Sequence, residues 1–402
     1  MNHLLKSFSQ RNYRLFFFSG AVSLTGAWMQ MTAMPWLVYR LTNSALILGL
    51  IGFLSQIFIL LLSPVAGTIA DHYDKKKLLT LTQTLAMVQA LILAALVLSG
   101  TVRLWHIIVL ATLLGLINAF DMPIRQSFVV QLVGRENLMN AIGLNSFLFN
   151  GARIVGPAIA GIIIAGAGEG MCFLINGLSF IAVIAALFFI KPLPMRNSAD
   201  NQGIFDKFIS GFKYVRHSAD ILPLLVLLSI TGLTGMFPMI LMPVIIKDIF
   251  MMDASGLGLF MSAMGVGALI GTVKVASRKS MDRIKNSIFT AAVAFAALIT
   301  AFAFVDFVPI ALILLVAMGY FISTQMALTN TFVQMAVTDE MRGRVMGFFV
   351  TAFMGFAPIG SLFAGALAHS FGAPATMASG GVISVAAAFM LRKRIFKYEV
   401  KI

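Results

Sequence analysis

Twelve apolar stretches follow one another along this chain, each about as long as a helix needs to cross a bilayer, and nothing else limits its possible folds so severely. They run near 13–39, 44–69, 78–100, 105–129, 138–166 and 170–190, and again near 222–247, 255–275, 285–304, 308–331, 343–368 and 374–391. Each predicts a helix, because a lone strand in lipid would leave its backbone donors and acceptors unpaired. Charged residues make up 11% of the chain and hydrophobic residues 59%, whereas soluble domains carry roughly 25% charge. So few polar residues cannot cover a water-soluble globule of this length, and lipid is the expected solvent. The first stretch is longer than a signal-peptide core of roughly 7–15 residues and lacks a small-residue cleavage site, so it is expected to stay as the first span.

The net charge of +14 would suit a nucleic-acid binder, but its distribution does not. Of the 29 Lys and Arg residues, all but Arg40, Arg103, Lys247 and Arg153 fall in the tails, in the loops that share their side of the membrane, or in the ends of the stretches next to them. The positive-inside rule then predicts a multi-pass protein of a bacterial inner membrane with both termini cytoplasmic, and no nucleic-acid partner. One long polar segment, 191–220, contains IFDKFISGFKYVRH, in which Phe205, Phe208, Ile209, Phe212 and Val215 recur at helical spacing among Lys207, Lys213 and Arg216. That pattern predicts an amphipathic helix on the cytoplasmic surface. It divides the chain into an N-terminal six-helix bundle, 1–190, a linker, 191–220, and a C-terminal six-helix bundle, 221–402.

The two halves echo each other at a shift of about 204 residues. Gly67 and Thr68 recur as Gly271 and Thr272, and Glu136, Gly156, Gly161 and Gly168 as Glu340, Gly360, Gly365 and Gly372; at a slightly different shift Met34 recurs as Met242. Shared order and spacing make duplication the expected origin. Two related halves about a central site are the architecture of alternating-access transporters.

After the second stretch comes GTIADHYDKKK, with Gly67 at a close turn, Asp71 at the cytoplasmic edge, and Lys75, Lys76 and Lys77 toward anionic headgroups. This resembles the signature loop of the major facilitator superfamily, here with lysine where arginine is more usual. The runs SLTGAWMQMTAMPWLVYRLTNSALILGL, NAFDMPIRQSFV, LNSFLFNGARIVGPAIAG, GFKYVRHSADILPLL and VTDEMRGRVMGFF extend the likeness to the subfamily of macrolide efflux proteins and the enterobactin exporter. The resemblance covers nearly the whole chain. It implies an all-α integral membrane protein of twelve transmembrane helices in two pseudo-symmetric six-helix bundles, a transporter rather than an enzyme, acting as a monomer. It also implies a cytoplasmic gate in which Asp71 meets the helix start carrying Asp339, Glu340, Arg342 and Arg344, where a helix dipole favours a carboxylate. Solvated loop charges would leave the same residues, and Asp339, Glu340 or Asp71 could each pair with the arginines.

In the fifth stretch GPAIAG, with Gly156, Pro157 and Gly161, resembles the antiporter motif of exporters, Ala160 replacing one glycine. Close packing across small residues would account for it equally well. Charges inside the membrane say more. Asp121 and Arg125 are four residues apart and able to pair, and Arg153 lies in the fifth stretch; unpaired in lipid, such groups are costly. Asp121 is therefore a candidate proton-coupling acid with Arg125 or Arg153 as its partner, or else half of a static ion pair. The resemblance also implies a substrate cavity lined by Gln30, Thr32, Met34, Asn118, Thr234, Met236, Phe321, Thr324, Gln325 and Asn330.

Other motifs lead nowhere. GVGALIG at 265–271 lies inside an apolar stretch with no preceding strand, so it is helix packing and no dinucleotide loop. The five histidines are scattered without metal spacing, Cys172 is alone, and no Ser, His and Asp set suggests a hydrolase. Neither a cofactor nor a metal is expected. The expected partners are a small-molecule substrate, protons or another coupling cation, and membrane lipids. The favoured activity is proton-coupled export of a small amphipathic compound, a drug-like molecule or a siderophore. Lipid or lysolipid transport and a non-transporting receptor of the same fold are the alternatives.

Overall fold

The structure is a computed structural model describing residues 7–191, 204–278, 280 and 282–397. The first half contains α1 (Arg11–Thr42), α2 (Ala45–His72), α3 (Lys75–Leu98), α4 (Leu104–Gly134), α5 (Glu136–Ala167) and α6 (Glu169–Phe189). A shorter helix, α7 (Ile204–His217), covers part of the polar segment, of which 192–203 lie outside the described residues. The second half contains α8 (Ile221–Asp248), α9 (Ala254–Ala276), α10 (Ile284–Phe302), α11 (Val308–Ala336), α12 (Glu340–Phe371) and α13 (Ala373–Ile395).

Among the described residues eleven of these helices are long and apolar enough to cross a membrane. The remaining span is α1, which is 32 residues long. Its polar side chains explain the difference: Ser19, Ser23, Gln30 and Thr32 are all buried against protein, so none of them meets lipid. The opposite rule governs outer faces, where Leu61, Ile162, Phe188, Phe304 and Met390 stand exposed. Such surfaces would aggregate in water and dissolve in a bilayer.

Local chemistry sets the breaks. Asp74 accepts from the backbone N–H of Lys76 at 2.8 Å and of Lys77 at 3.2 Å, capping α3. Between α4 and α5 Gly134 takes φ 71°, and Gly168 and Gly372 end α5 and α12 at φ 80° and 82°, a region that favours glycine. The last two occupy corresponding places in the two halves. A π turn at Thr351–Gly355 interrupts α12 just before Pro358, whose ring lacks an N–H and crowds the preceding turn.

The chain divides into two compact units, the first Met1–Asn43, Leu54–Ala199 and Asp253–Ser262, the second Ser44–Phe53, Asp200–Met252 and Ala263–Ile402. In the first, Tyr13 and Phe16 of α1, Leu79 of α3, Ile124 and Phe128 of α4, and Val183 and Leu187 of α6 form one apolar core. At another end of this unit the buried carboxylate of Glu169 pairs with Arg40, Nε to Oε1 2.7 Å and Nη2 to Oε2 3.1 Å. Because the arginine side chain is 50% exposed, a double-mutant cycle of Glu169→Gln and Arg40→Gln is expected to read a coupling of about 1 kcal/mol or less in thermal unfolding. Zero coupling would remove the pair as a tie between α1 and α6.

In the second unit Leu224 and Leu227 of α8, Ile284 and Ile288 of α10, Leu328 and Phe332 of α11, and Ala388 and Ile395 of α13 make the equivalent core. The α7 helix packs on α12 through Phe208 and Phe348, ring centroids 5.2 Å apart, with Val215 buried in the same cluster.

Candidate transport site

Asp121 is buried, and three side chains converge on it. Arg125, one turn later on α4, donates from Nε to Oδ2 at 3.0 Å; from α3, Thr82 Oγ1 and Gln83 Nε2 each donate to Oδ1 at 2.7 Å. The Arg125 guanidinium lies 5.8 Å from the Phe16 ring centroid. Spacing in the sequence makes the ion pair legible, but Thr82 and Gln83 go unnoticed there. Their one signal is a polar pair in an apolar helix. Gln83 Oε1 is buried without a hydrogen-bond partner.

Arg153 stands elsewhere. Its guanidinium lies 5.9 Å from the centroid of Trp28, and among the described residues it makes no ion pair. Trp28 also takes the edge of Phe149 at 5.5 Å, and a Cβ on Gly156 would collide with the Trp28 Cβ. Gly156 therefore lets α1 come close to α5. The next motif glycine has a different neighbour: a Cβ on Gly161 would sit 2.9 Å from the Ala254 carbonyl and 3.0 Å from Gly258 of α9, while the carbonyl of Pro157 faces Gly258. In the second unit Gly360 presses on the Leu233 carbonyl and Gly365 on Gly49, so the duplicated glycines do duplicated work.

Several of the side chains expected on a cavity wall bond neighbouring helices. Gln30 accepts from Asn176 Nδ2 at 2.7 Å and donates to Gln89 at 3.3 Å, bonding α1 to α6 and α3 inside the unit. Thr32 is fully buried and donates to the Trp28 carbonyl, and Met34 is buried too. Asn118 is half-buried. In the second unit Thr234 bonds Ser384 at 2.6 Å, and Gln325 Nε2 bonds Thr231 at 3.0 Å while its Oε1 is buried and unsatisfied, as is Thr324 Oγ1. Met236 and Phe321 are half-buried, the latter edge-on to Tyr320, and Asn330 accepts from Gln334.

Of the gate residues, Gly67, Asp71 and Asp339 lie on helical backbone, but their side-chain positions lie outside the described residues. Lys75 is buried, Lys77 is exposed, and Lys76 Nζ donates to the Ile190 carbonyl at 2.9 Å, satisfying the end of α6. Glu340 and Arg342 are exposed, and Arg344 donates to Ser210 of α7 at 2.7 Å. No group of three or more His, Cys, Asp or Glu able to hold a metal occurs among the described residues.

Membrane-length helices, two units with repeated glycine contacts and buried intramembrane charge define a multi-pass transporter. From residue 4 to residue 401 the chain matches the family model described as transmembrane secretion effector, and it belongs to that family of the major facilitator superfamily. It is 28% identical over 393 residues to the staphyloferrin A transporter of Staphylococcus aureus, covering 96% of this chain and 98% of that protein. It is 25% identical over 398 residues to the multidrug efflux pump Tap of Mycolicibacterium fortuitum, covering 94% and 96%. A bacterial homologue of the human lysosomal transporter Spinster has the same fold at a TM-score of 0.75 and 13% identity, covering 96% of this chain and 98% of that one. So does the nucleoside transporter NupG at 0.72 and 15%, covering 97% and 100%. The protein is a major facilitator transporter of small molecules, not an enzyme.

Proposed function

We propose that this protein is a proton-coupled exporter of a small amphipathic compound, working by alternating access in a bacterial inner membrane with both termini cytoplasmic. End-to-end similarity to a siderophore transporter and a multidrug efflux pump supports the substrate class. The observation that carries coupling is the Asp121 cluster, a carboxylate deep among apolar helices whose partners can serve both of its protonation states. Ionised, it accepts from Arg125, Thr82 and Gln83. Protonated, it no longer holds the guanidinium by charge; its O–H can donate to the Thr82 hydroxyl or, after a turn of the amide, to Gln83 Oε1. Proton uptake thus releases Arg125 without stranding the acid. The two bundles of the proposal are 1–190 and 221–402, joined by the linker 191–220, with Asp71 latching the cytoplasmic gate.

In proteoliposomes with an imposed pH gradient, Asp121→Asn is expected to abolish gradient-driven accumulation of a transported dye while leaving exchange of dye across the membrane intact. Full retention of gradient-driven accumulation by Asp121→Asn removes Asp121 from coupling.

A further inference from the structure

Two of the three charges in the middle of the first unit account for each other. Asp121 is taken by Arg125 together with Thr82 and Gln83, which leaves the positive charge of Arg153 without a countercharge among the described residues. Arg153 lies about 25 Å along α5 from Glu136 and about 21 Å from Ala167 at 1.5 Å per residue. With both ends that far off, Arg153 falls inside a hydrocarbon core about 30 Å thick wherever α5 is set along it, the region in which transporters of this architecture bind solutes. An arginine at that depth does not face lipid tails. It is also built into place. Gly156, three residues on, brings Trp28 against α5; Phe149, four residues back, meets the Trp28 ring edge-on; and the guanidinium lies over that same ring.

We propose that Arg153, shelved on Trp28, binds the carboxylate of the transported molecule, which makes the substrate an amphipathic organic anion rather than a lipophilic cation. This deepens the transport reading above and rests on it. A guanidinium presents a planar fork of donors that matches a carboxylate two bonds at a time, and its charge is constant at every physiological pH. The rings of Trp28 and Phe149 supply apolar faces beside that fork, as an aromatic or partly apolar acid requires. A cationic drug would meet an uncompensated like charge at the same place.

Two xanthene dyes of similar shape and opposite charge test this: 5-carboxyfluorescein and rhodamine 123. Binding is read by dye anisotropy on the purified full-length protein, and flux by proteoliposomes. Carboxyfluorescein is expected to bind saturably, about tenfold or more weakly to Arg153→Gln, with an intermediate loss in Arg153→Lys, which keeps the charge and loses the fork. Rhodamine 123 is expected to bind worse than carboxyfluorescein to the wild type and to gain on Arg153→Gln. Variants are compared only as monodisperse protein, and Trp28→Phe, which keeps an aromatic shelf, is expected to retain carboxyfluorescein binding within a few-fold. A wild-type preference for rhodamine 123, or unchanged carboxyfluorescein affinity in Arg153→Gln, overturns the proposal. So does displacement of the dye by phosphatidylglycerol but not by citrate, which would make the site one for lipid phosphate. If wild-type proteoliposomes move neither dye while binding keeps its Arg153 dependence, the transport reading fails and the anion site stands. If they move rhodamine 123 alone, the transport reading stands and the anion site fails.

Discussion

Gly319→Leu is expected to yield no folded protein. In the second unit α9 and α11 cross with each helix seated on the other's backbone: a Cβ on Gly319 would fall on the Met264 carbonyl oxygen, and one on Gly267 on the Val316 carbonyl oxygen, both far inside the 3.0 Å that real Cβ atoms keep. The obstructing atoms are backbone, so no side-chain rotation makes room and the helices themselves must separate. Membrane helices gain little hydrophobic drive against lipid and are held chiefly by van der Waals contact, which such a separation removes along the crossing. Even Gly319→Ala is expected to cost about 3 kcal/mol or more, at or beyond the upper end of overpacking penalties. Size-exclusion profiles and thermal melts in detergent check both variants. Gly143→Ala and Gly151→Ala, where nothing lies within 4 Å of the new methyl, are expected to melt like the wild type. A monodisperse Gly319→Leu with wild-type melting would refute the close crossing.

Asp121→Ala should be the most damaging change of a single polar side chain. It removes the partner of the Arg125 guanidinium and strands the buried Gln83 amide donor, while Thr82 keeps the Leu79 carbonyl as an acceptor at 3.0 Å. Breaking a buried pair from one side costs about 3–5 kcal/mol, and the partial exposure of Arg125, 32% of its side chain, argues for the lower figure. Asp121→Asn keeps an acceptor oxygen and most of the shape, so it is expected to lose about half as much on the same scale. The double variant Asp121→Ala with Arg125→Leu should recover part of the loss, because no charge is then left unpaired. Equal destabilisation by Ala and Asn, with no recovery in the double variant, would mean that packing rather than the polar cluster at Asp121 sets the stability of this region.

Much of the helix map could be read directly. Spans were legible because about 20 apolar residues in a row have one stable arrangement in lipid. The pairing of Asp121 with Arg125 followed from one turn of helix. What each helix shows to its neighbours did not follow. Gln30 reads as a cavity residue from its place in the first stretch, and it bonds Gln89 and Asn176. Arg344 reads as a gate residue, and it reaches Ser210 on the linker helix. Arg153 was as plausible a partner for Asp121 as Arg125, yet it lies over Trp28.

The sequence by itself determined the solvent, the number of crossings and roughly where each crossing lies, because each depends on local length and composition. The tertiary structure alone decided the rotation of every helix about its axis. In water that rotation is written in the pattern, since an apolar face must turn inward; in lipid both the protein interior and the surroundings are apolar, so periodicity marks no inner face. Only the actual packing of Gly156 on Trp28, or of Gly267 beneath Val316, reveals which way each helix turns.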